Sequence, residues 1–229
     1  MRDCWGCADQ TDLLCSGEGE LGSTFEDVAW RASGQADVIS VQSSEAEGEF
    51  RPRSRSVRDL SVVPDRYSVV AWLQSILEPD SRTRRFAYPS SGGLGHVGAL
   101  AIASNGSGVR VPCAYVSGQG LVELETIGIE DELVAWAASK VTSDLPPWVI
   151  FFYSDIAMLR RKYSGPLGMT AAVEVGCVVQ LAYERAQHWR LRLCASGAVH
   201  GRLIEMFRIR AKSEEPRLLH LATVLLAGE

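Results

Sequence analysis

The feature that most constrains the fold is a long apolar segment at residues 169–189, MTAAVEVGCVVQLAYERAQHW. As a helix it would carry apolar residues over most of its circumference. A helix of this kind lies inside a protein or at an interface between chains. The sequence therefore predicts a central helix against which the other elements pack.

Six other segments have the patterns of β-strands. The most clearly buried is PPWVIFFYSD at 146–155, which is bounded by prolines and Ser-Asp. VPCAYVS and GLVELETI are joined by a Ser-Gly-Gln-Gly turn, a pattern typical of a hairpin. GALAIAS, WRLRLCASGAV and RLLHLATVLLAG complete the set.

Three shorter helices are predicted between these strands. One starts near Asp65, and Glu78-Pro79 ends it. Another is IEDELVAWAASKV, with Leu133, Trp136, Ala137 and Val141 facing inwards. The third is LIEMFRI. The resulting fold class is α+β, with one antiparallel or mixed sheet flanked by helices and a buried central helix.

Composition excludes some functions. The chain has 229 residues and a net charge of −5, which argues against a general binder of nucleic acid or of acidic membranes. No segment reaches the roughly 18 apolar residues of a membrane span. The first residues carry acids where a signal peptide would have its apolar core. We expect a cytoplasmic protein whose six cysteines are reduced thiols.

The N-terminal part differs in composition from the rest. Residues 32–56 are polar and rich in serine, glycine and charge, so we expect a linker. This divides the chain into an extension at 1–45 and a main domain at 46–229. Cys4, Cys7 and Cys15 raise the question of a metal. Cys4 and Cys7 have ligand-like spacing, but there is no second pair, and the nearest histidine is His96. A closed zinc site needs four ligands. Free thiols are therefore the favoured interpretation, and no metal is predicted.

Three stretches resemble one family, in order and with matching spacing. RSRSVRDL resembles the Arg-Ser-x-Arg opening of nitroreductase-like flavoproteins. YPSSGGLGHVGALAI is similar to the Pro-Ser-Ala-Gly-Gly-Leu loop and strand of their SagB-type dehydrogenase branch. SDIAMLRRKYSG, with the helix after it, resembles the Lys-Tyr-Gly segment of that branch. The resemblance to a divergent member covers residues 50 to about 226.

The resemblance implies a nitroreductase-like fold, FMN as cofactor, and an intertwined homodimer with flavin at the subunit interface. SagB-type members typically oxidise azolines to azoles in peptide natural products. We therefore expect an FMN-dependent dehydrogenase or oxidase that acts on a modified peptide or a related small molecule. Other peptide-modifying enzymes are candidate partners, whereas nucleic acid and membrane are not expected.

Three residues of the first stretch are implied in holding the FMN phosphate and ribityl chain. They are Arg55, Ser56 and Arg58. Arginine suits this role because its fixed fork of donors matches phosphate oxygens. The alternative is a solvated basic stretch that balances the acidic one before it.

The second stretch implies a loop beneath the flavin ring, formed by Pro89, Ser90, Ser91, Gly92, Gly93 and Leu94. Two adjacent glycines allow close backbone approach to a flat ring and supply exposed N–H groups. The alternative is a plain loop before a strand. The family continues Leu-Tyr-Pro and has a glutamate in the strand, whereas this chain has Gly95, His96 and Gly98. The missing aromatic and acid predict a wider or differently used pocket.

Lys162 and Tyr163 match the family's Lys-Tyr pair, which is implicated in azoline oxidation. Lysine and tyrosine ordinarily titrate well above neutral pH, so a role as base would need burial or adjacent cations such as Arg160 and Arg161. The alternative interpretation makes Lys162 a charge that flanks a helix and Tyr163 a core ring.

The last implied cofactor contacts are Gln180, Ser196 and Gly197. Cys177 stands where the family commonly has histidine and is interpreted as a small core residue. The C-terminus LLAGE lacks the Arg or Lys that often completes the phosphate site. These departures motivate two further hypotheses. One is a degenerate, flavin-poor subunit that binds or assembles a peptide-modifying complex. The other is an NAD(P)H-dependent reductase of nitro compounds or quinones.

Overall fold

The computed structural model describes residues 59–105, 108–126, 128–139, 141–142, 145–196, 203 and 218–229. Its helices are α1 (Arg66–Leu77), α2 (Glu130–Ser139), α3 (Ile156–Arg160) and α4 (Leu167–Ala186). Its strands are β1 (Val97–Ser104), β2 (Arg110–Val116), β3 (Gly120–Glu123), β4 (Trp148–Asp155), β5 (Leu191–Ala195) and β6 (Leu218–Gly228). Five features discussed in the sequence analysis lie outside the described residues: the 1–45 extension, the linker, the three N-terminal cysteines, the Arg55/Ser56/Arg58 group and Gly197. Of the short helix predicted at 203–209, only Leu203 is described, and it is helical.

The six strands form one sheet in the order β3-β2-β1-β4-β6-β5. Every neighbouring pair is antiparallel, which decides between the antiparallel and mixed sheets that the sequence allowed. The predicted β4 is a central strand, paired with β1 on one side and β6 on the other. The pairing with β6 is interrupted by a bulge between Phe152 and Tyr153.

Strand side chains point alternately to opposite faces of the sheet, so a core forms on each face. Helices cover both of these cores. Ile150 and Phe152 of β4 belong to the core that includes α1 and α4, whereas Val149 and Phe151 belong to the core that includes α2. The fold is therefore three layers deep, as an α+β protein built on one sheet requires.

Helix α1 begins where the sequence predicts. The Asp65 carboxylate accepts a hydrogen bond from the N–H of Ser68 at 3.0 Å, which caps the first turn. The indole N–H of Trp72 in α1 donates to the carbonyl of Ala182 in α4 at 3.0 Å, so the two helices are joined within the core. The position of α1 fixes that of α4 on this face of the sheet.

Helix α4 begins two residues before the predicted segment. Only one side of the helix is buried within this chain. Its buried side includes Val175 and Val178, whereas Met169 and Val173 are 69% and 62% exposed. The prediction that this helix is interior or interfacial is thus confirmed for one side. No helix in the described part of the chain is both long enough and apolar enough to cross a membrane.

Candidate active site

The site forms where β1 begins and β4 ends. Val97 pairs with Ser154, and the N–H of Asp155 donates to the carbonyl of His96 at 2.8 Å. The glycine loop, Pro89 to Leu94, precedes β1. The Lys-Tyr turn, Lys162 and Tyr163, follows shortly after β4. Both predicted segments therefore lie at the same end of the two central strands, β1 and β4.

The Lys-Tyr turn is placed by helix α3, which the sequence analysis did not predict. Asp155 caps this helix, because its carboxylate accepts from the N–H groups of Ala157 and Met158 at 2.9 and 3.3 Å. The N–H groups of Lys162 and Tyr163 both donate to the carbonyl of Leu159 at 3.0 Å. The Ser-Asp sequence before the turn was the available signal, because aspartate is a preferred N-cap residue.

The glycine loop closes into a single 3-10 turn at Ser91–Gly93. Gly92 and Gly93 have φ angles of +61° and +72°, which favour glycine. The N–H of Gly93 donates to the carbonyl of Ser90 at 3.2 Å, so this donor is used within the turn. The expected room for close approach is present, because a Cβ at Gly93 would have nothing within 4 Å.

The Lys-Tyr turn contacts the glycine loop. The Lys162 ammonium donates to the carbonyl of Gly92 at 3.2 Å. A Cβ at Gly92 would lie 2.7 Å from Cε of Lys162 and 2.9 Å from the hydroxyl oxygen of Tyr163. Two segments about seventy residues apart in sequence are thus brought together.

The surroundings of the pair correct one expectation. Tyr163 is 37% exposed, so its interpretation as a core ring is wrong. Lys162 is also exposed, so this chain alone does not exclude water from its side chain. Its ammonium lies 5.9 Å from the centroid of the Tyr163 ring, at the outer limit of a cation–π contact. Solvent exclusion at this pair would have to come from a ligand or a second chain.

Two buried groups of the site were missed as site residues. Nε2 of His96 lies 2.7 Å from Oε2 of Glu174 on α4, and Nδ1 of His96 lies 2.8 Å from Oγ of Ser154. The Ser91 N–H donates to Oε1 of Glu174. An acid on an apolar helix was the signal for Glu174, since buried carboxylates need partners.

Aromatic rings lie next to two of the glycines in this region. A Cβ at Gly95 would lie 2.5 Å from the Phe86 ring, and one at Gly98 would lie 2.5 Å from the Tyr153 ring. These two rings occupy the space that the glycines leave. Burial raises the pKa of Tyr153, and the Asp155 carboxylate raises it further.

The remaining predicted residues lie apart from the loop contacts. The Gln180 amide donates to Glu184 one helical turn away at 3.1 Å. Gln180 is six residues beyond Glu174, or about 9 Å along the helix. The N–H of Ser196 donates to the carbonyl of Thr223 at the end of β5. Cys177 is partly buried against the core, as predicted.

Metal ligation has no support in the part of the chain that the structure describes. No group of three or more His, Cys, Asp or Glu side chains there could hold a metal ion. His188 packs edge-on against Trp189, with ring centroids 5.0 Å apart, and this contact explains its position.

Comparison with known proteins identifies the fold. No family model and no curated protein sequence matches the chain. A chain of the E. coli microcin synthetase McbBCD complex, solved with truncated pro-MccB17 bound, is similar over 88% of this chain and 77% of its own length. That similarity has 16% sequence identity and a TM-score of 0.60.

Two nitroreductase structures are also similar. A putative nitroreductase from Ralstonia eutropha matches over 87% of this chain and 98% of its own, with 12% identity and a TM-score of 0.53. One from Anabaena variabilis matches over 79% and 40%, with 14% identity and a TM-score of 0.53. The predicted fold class is confirmed: the chain has a nitroreductase-like fold.

Proposed function

We propose that the chain is an FMN-dependent oxidoreductase that acts on a peptide-derived intermediate, as in oxidation of an azoline to an azole. The observation that carries the proposal is the contact of Lys162 and Tyr163 with the Gly92-Gly93 loop. The fold supports it, since it is shared with nitroreductases and with a chain of a synthetase complex that holds a peptide precursor.

The glycine loop suits the ring end of a flavin in two respects. The space above Gly93 is open where a side chain would block a flat ring. Beside the loop, the hydroxyl of Tyr88 is buried without a hydrogen-bond partner, and a bound polar ring edge could provide one. Pro89, Ser90, Ser91 and Leu94 would complete this cradle. Arg55, Ser56 and Arg58 remain the predicted phosphate ligands, and Gln180, Ser196 and Gly197 the predicted outer contacts.

The proposed reaction needs a base, and the Lys-Tyr turn would supply it. Conversion of an azoline to an azole removes a proton from the ring Cα and a hydride from the neighbouring ring carbon, and a C=C bond forms between them. FMN would supply the two-electron acceptor, which dioxygen reoxidises. Lys162 or Tyr163 would accept the proton, since both side chains meet the loop on which the ring would rest.

The first test is the visible absorption spectrum of the purified protein, repeated after FMN titration and desalting. Retention of about one flavin per subunit, followed by turnover of an azoline peptide, is the expected result. Protein that stays colourless after the FMN titration and desalting would contradict the proposal. Flavin retention with NADPH oxidation but no azoline turnover would instead favour a reductase of nitro compounds or quinones.

We propose further that the protein is a homodimer joined along α4. Met169 and Val173 leave an apolar side of this helix exposed, next to a site whose base candidates are open to water. Val173→Glu should convert a dimer to a monomer in analytical ultracentrifugation, because it places a charge in the interface. Val109→Glu, at a site that is 55% exposed on another part of the surface, is the matched control and should leave the dimer intact.

A second candidate function is a binding or assembly subunit of a peptide-modifying complex. The internal use of the Ser91 and Gly93 N–H groups favours it, because these donors are then not available to a flavin. Binding of a precursor peptide without flavin retention would support this candidate over the first one.

A further inference from the structure

The contact between His96 and Glu174 lies beneath the glycine loop and is almost fully removed from solvent. His96 is 2% exposed and Glu174 is 3% exposed. Nε2 and Oε2 face each other at 2.7 Å without the alignment of a regular hydrogen bond. Burial of a carboxylate is costly unless partners satisfy it, so the partners of this pair indicate what the pair does.

Both side chains connect to the segments that form the site. Oε1 of Glu174 accepts the Ser91 N–H, which fixes the first residue of the 3-10 turn in the loop. Nδ1 of His96 lies 2.8 Å from the Ser154 hydroxyl, at the end of β4. Helix α4, the glycine loop and the end of β4 therefore meet through two side chains.

The same contacts reach Lys162 from two directions. On one side, the loop presents the Gly92 carbonyl to the Lys162 ammonium at 3.2 Å. On the other side, the His96 carbonyl accepts the N–H of Asp155, whose carboxylate caps the short helix before the Lys-Tyr turn. His96 is thus bonded to the structural supports of both halves of the site.

We infer that His96 and Glu174 are a positioning pair, which holds the glycine loop in the conformation that meets Lys162. An apolar pair of similar volume would fill the same space but could not accept the Ser91 N–H, and well-packed apolar replacements of buried ion pairs are often no less stable. The consequence for flavin binding rests on the proposed function. The consequence for the loop itself does not, because it concerns the protein without any ligand.

The test measures amide hydrogen exchange of the 89–95 segment in cofactor-free protein, together with the labelling rate of Lys162 by an amine-reactive reagent. The chain has only three lysines, so Lys140 and Lys212 serve as internal references. Glu174→Leu should raise exchange at Ser91 about tenfold or more, because its acceptor is lost. It should also raise Lys162 labelling relative to the other two lysines.

Glu174→Gln is the conservative variant. Its side-chain oxygen can accept the Ser91 N–H, and its amide can donate to His96 if the ring takes the other tautomer. Exchange and Lys162 labelling should therefore stay within about threefold of wild type, since the hydrogen-bond count is kept. Glu130→Gln removes a buried acid from α2, on the other face of the sheet, and should leave both readouts unchanged.

Two results would overturn the inference. One is a folded Glu174→Leu protein with unchanged exchange at 89–95. The other is an equal rise in Glu130→Gln, which would mean a general loss of stability. If Glu174→Leu does not fold, His96→Gln takes its place in the test, because this variant keeps the acceptor of the Ser91 N–H. It should raise amide exchange of the loop measurably, but by less than tenfold. Unchanged exchange would reject the positioning pair.

FMN titration of the same variants separates this inference from the proposed function. Absence of flavin binding in the wild type rejects the proposed function and leaves the exchange result standing. Flavin binding that is equally tight in wild type and Glu174→Leu, with equal loop exchange, rejects the positioning pair and leaves the proposed function intact.

Discussion

The Lys162 side chain occupies the space that any side chain at Gly92 would need. A Cβ at Gly92 would overlap the ammonium and lie 2.7 Å from Cε, while the Tyr163 hydroxyl would lie 2.9 Å away. The neighbouring Gly93 has a similar φ angle but open space above it. This difference makes the two glycines a matched pair for mutation.

Gly92→Ala should displace Lys162, because the far end of a flexible side chain yields more readily than backbone. We expect both Gly92→Ala and Gly93→Ala to lose about 1 kcal/mol of stability, since each puts a Cβ at positive φ. Only Gly92→Ala should change Lys162 labelling in cofactor-free protein. Equal labelling in the two variants would mean that the amine does not rest on Gly92.

Lys162→Met and Tyr163→Phe test the proposed proton transfer. Loss of a general base should lower azoline turnover by about 10²- to 10⁴-fold, with the retained flavin little changed. Tyr67→Phe removes the hydroxyl of an exposed tyrosine on α1 and is the matched control. Full turnover in both site variants would remove the Lys-Tyr turn from the mechanism.

Gly98→Ala tests the contact between Gly98 and the Tyr153 ring. The new methyl would lie 2.5 Å from Tyr153, and this ring, which packs against the core, cannot move as a lysine amine can. We expect a loss of about 1–3 kcal/mol in the free energy of unfolding. Gly176→Ala, in α4 with nothing within 4 Å, should instead gain up to about 1 kcal/mol of helix propensity.

A second substitution checks the cause of that loss. Tyr153→Leu combined with Gly98→Ala should cost less than the sum of the single changes, because the overlap disappears. Strict additivity in chemical denaturation would mean that the two residues do not compete for space.

Three of the six tyrosines should resist alkaline ionisation. Burial raises the pKa of Tyr88, Tyr115 and Tyr153, and a carboxylate near each raises it further: Glu174, Glu78 and Asp155 in that order. A raised pKa in the folded state means that their contribution to stability is complete below about pH 10 and is lost as the pH rises above it.

The measurement is phenolate absorbance during an alkaline titration, followed alongside circular dichroism. These three phenols should ionise only as the fold is lost, because their pKa values are raised in the folded chain. Ionisation of these three phenols while the circular dichroism signal of the folded chain persists would contradict the prediction.

Much of the fold follows from local patterns. β4 and β6 have buried, β-rich sequences, and α1 has both an apolar face and an Asp65 cap. The order β3-β2-β1-β4-β6-β5 could not be read from these patterns, because pairing depends on contacts between distant segments. α3 was missed because five residues are too short for a helical period to show.

The candidate site was predictable only in part. The glycine loop and the Lys-Tyr turn have local motifs, so the resemblance could indicate both. Glu174 has no motif, since it is a single acid in a helix whose neighbours are apolar, and its partner His96 is 78 residues away in the chain. Phe86 and Tyr153 were missed for the same reason: each fills space that a glycine leaves elsewhere in the sequence.

The hydrogen bond from Asp155 to the His96 carbonyl has a mechanical consequence. The glycine loop and the Lys-Tyr turn leave the sheet from directly paired positions. When the sheet twists or bends, the glycine loop and the Lys-Tyr turn should therefore move together. The gap between Gly92 and Lys162 should therefore vary less than the gap from either of them to the β5 end at Ser196, which lies two strands beyond β4.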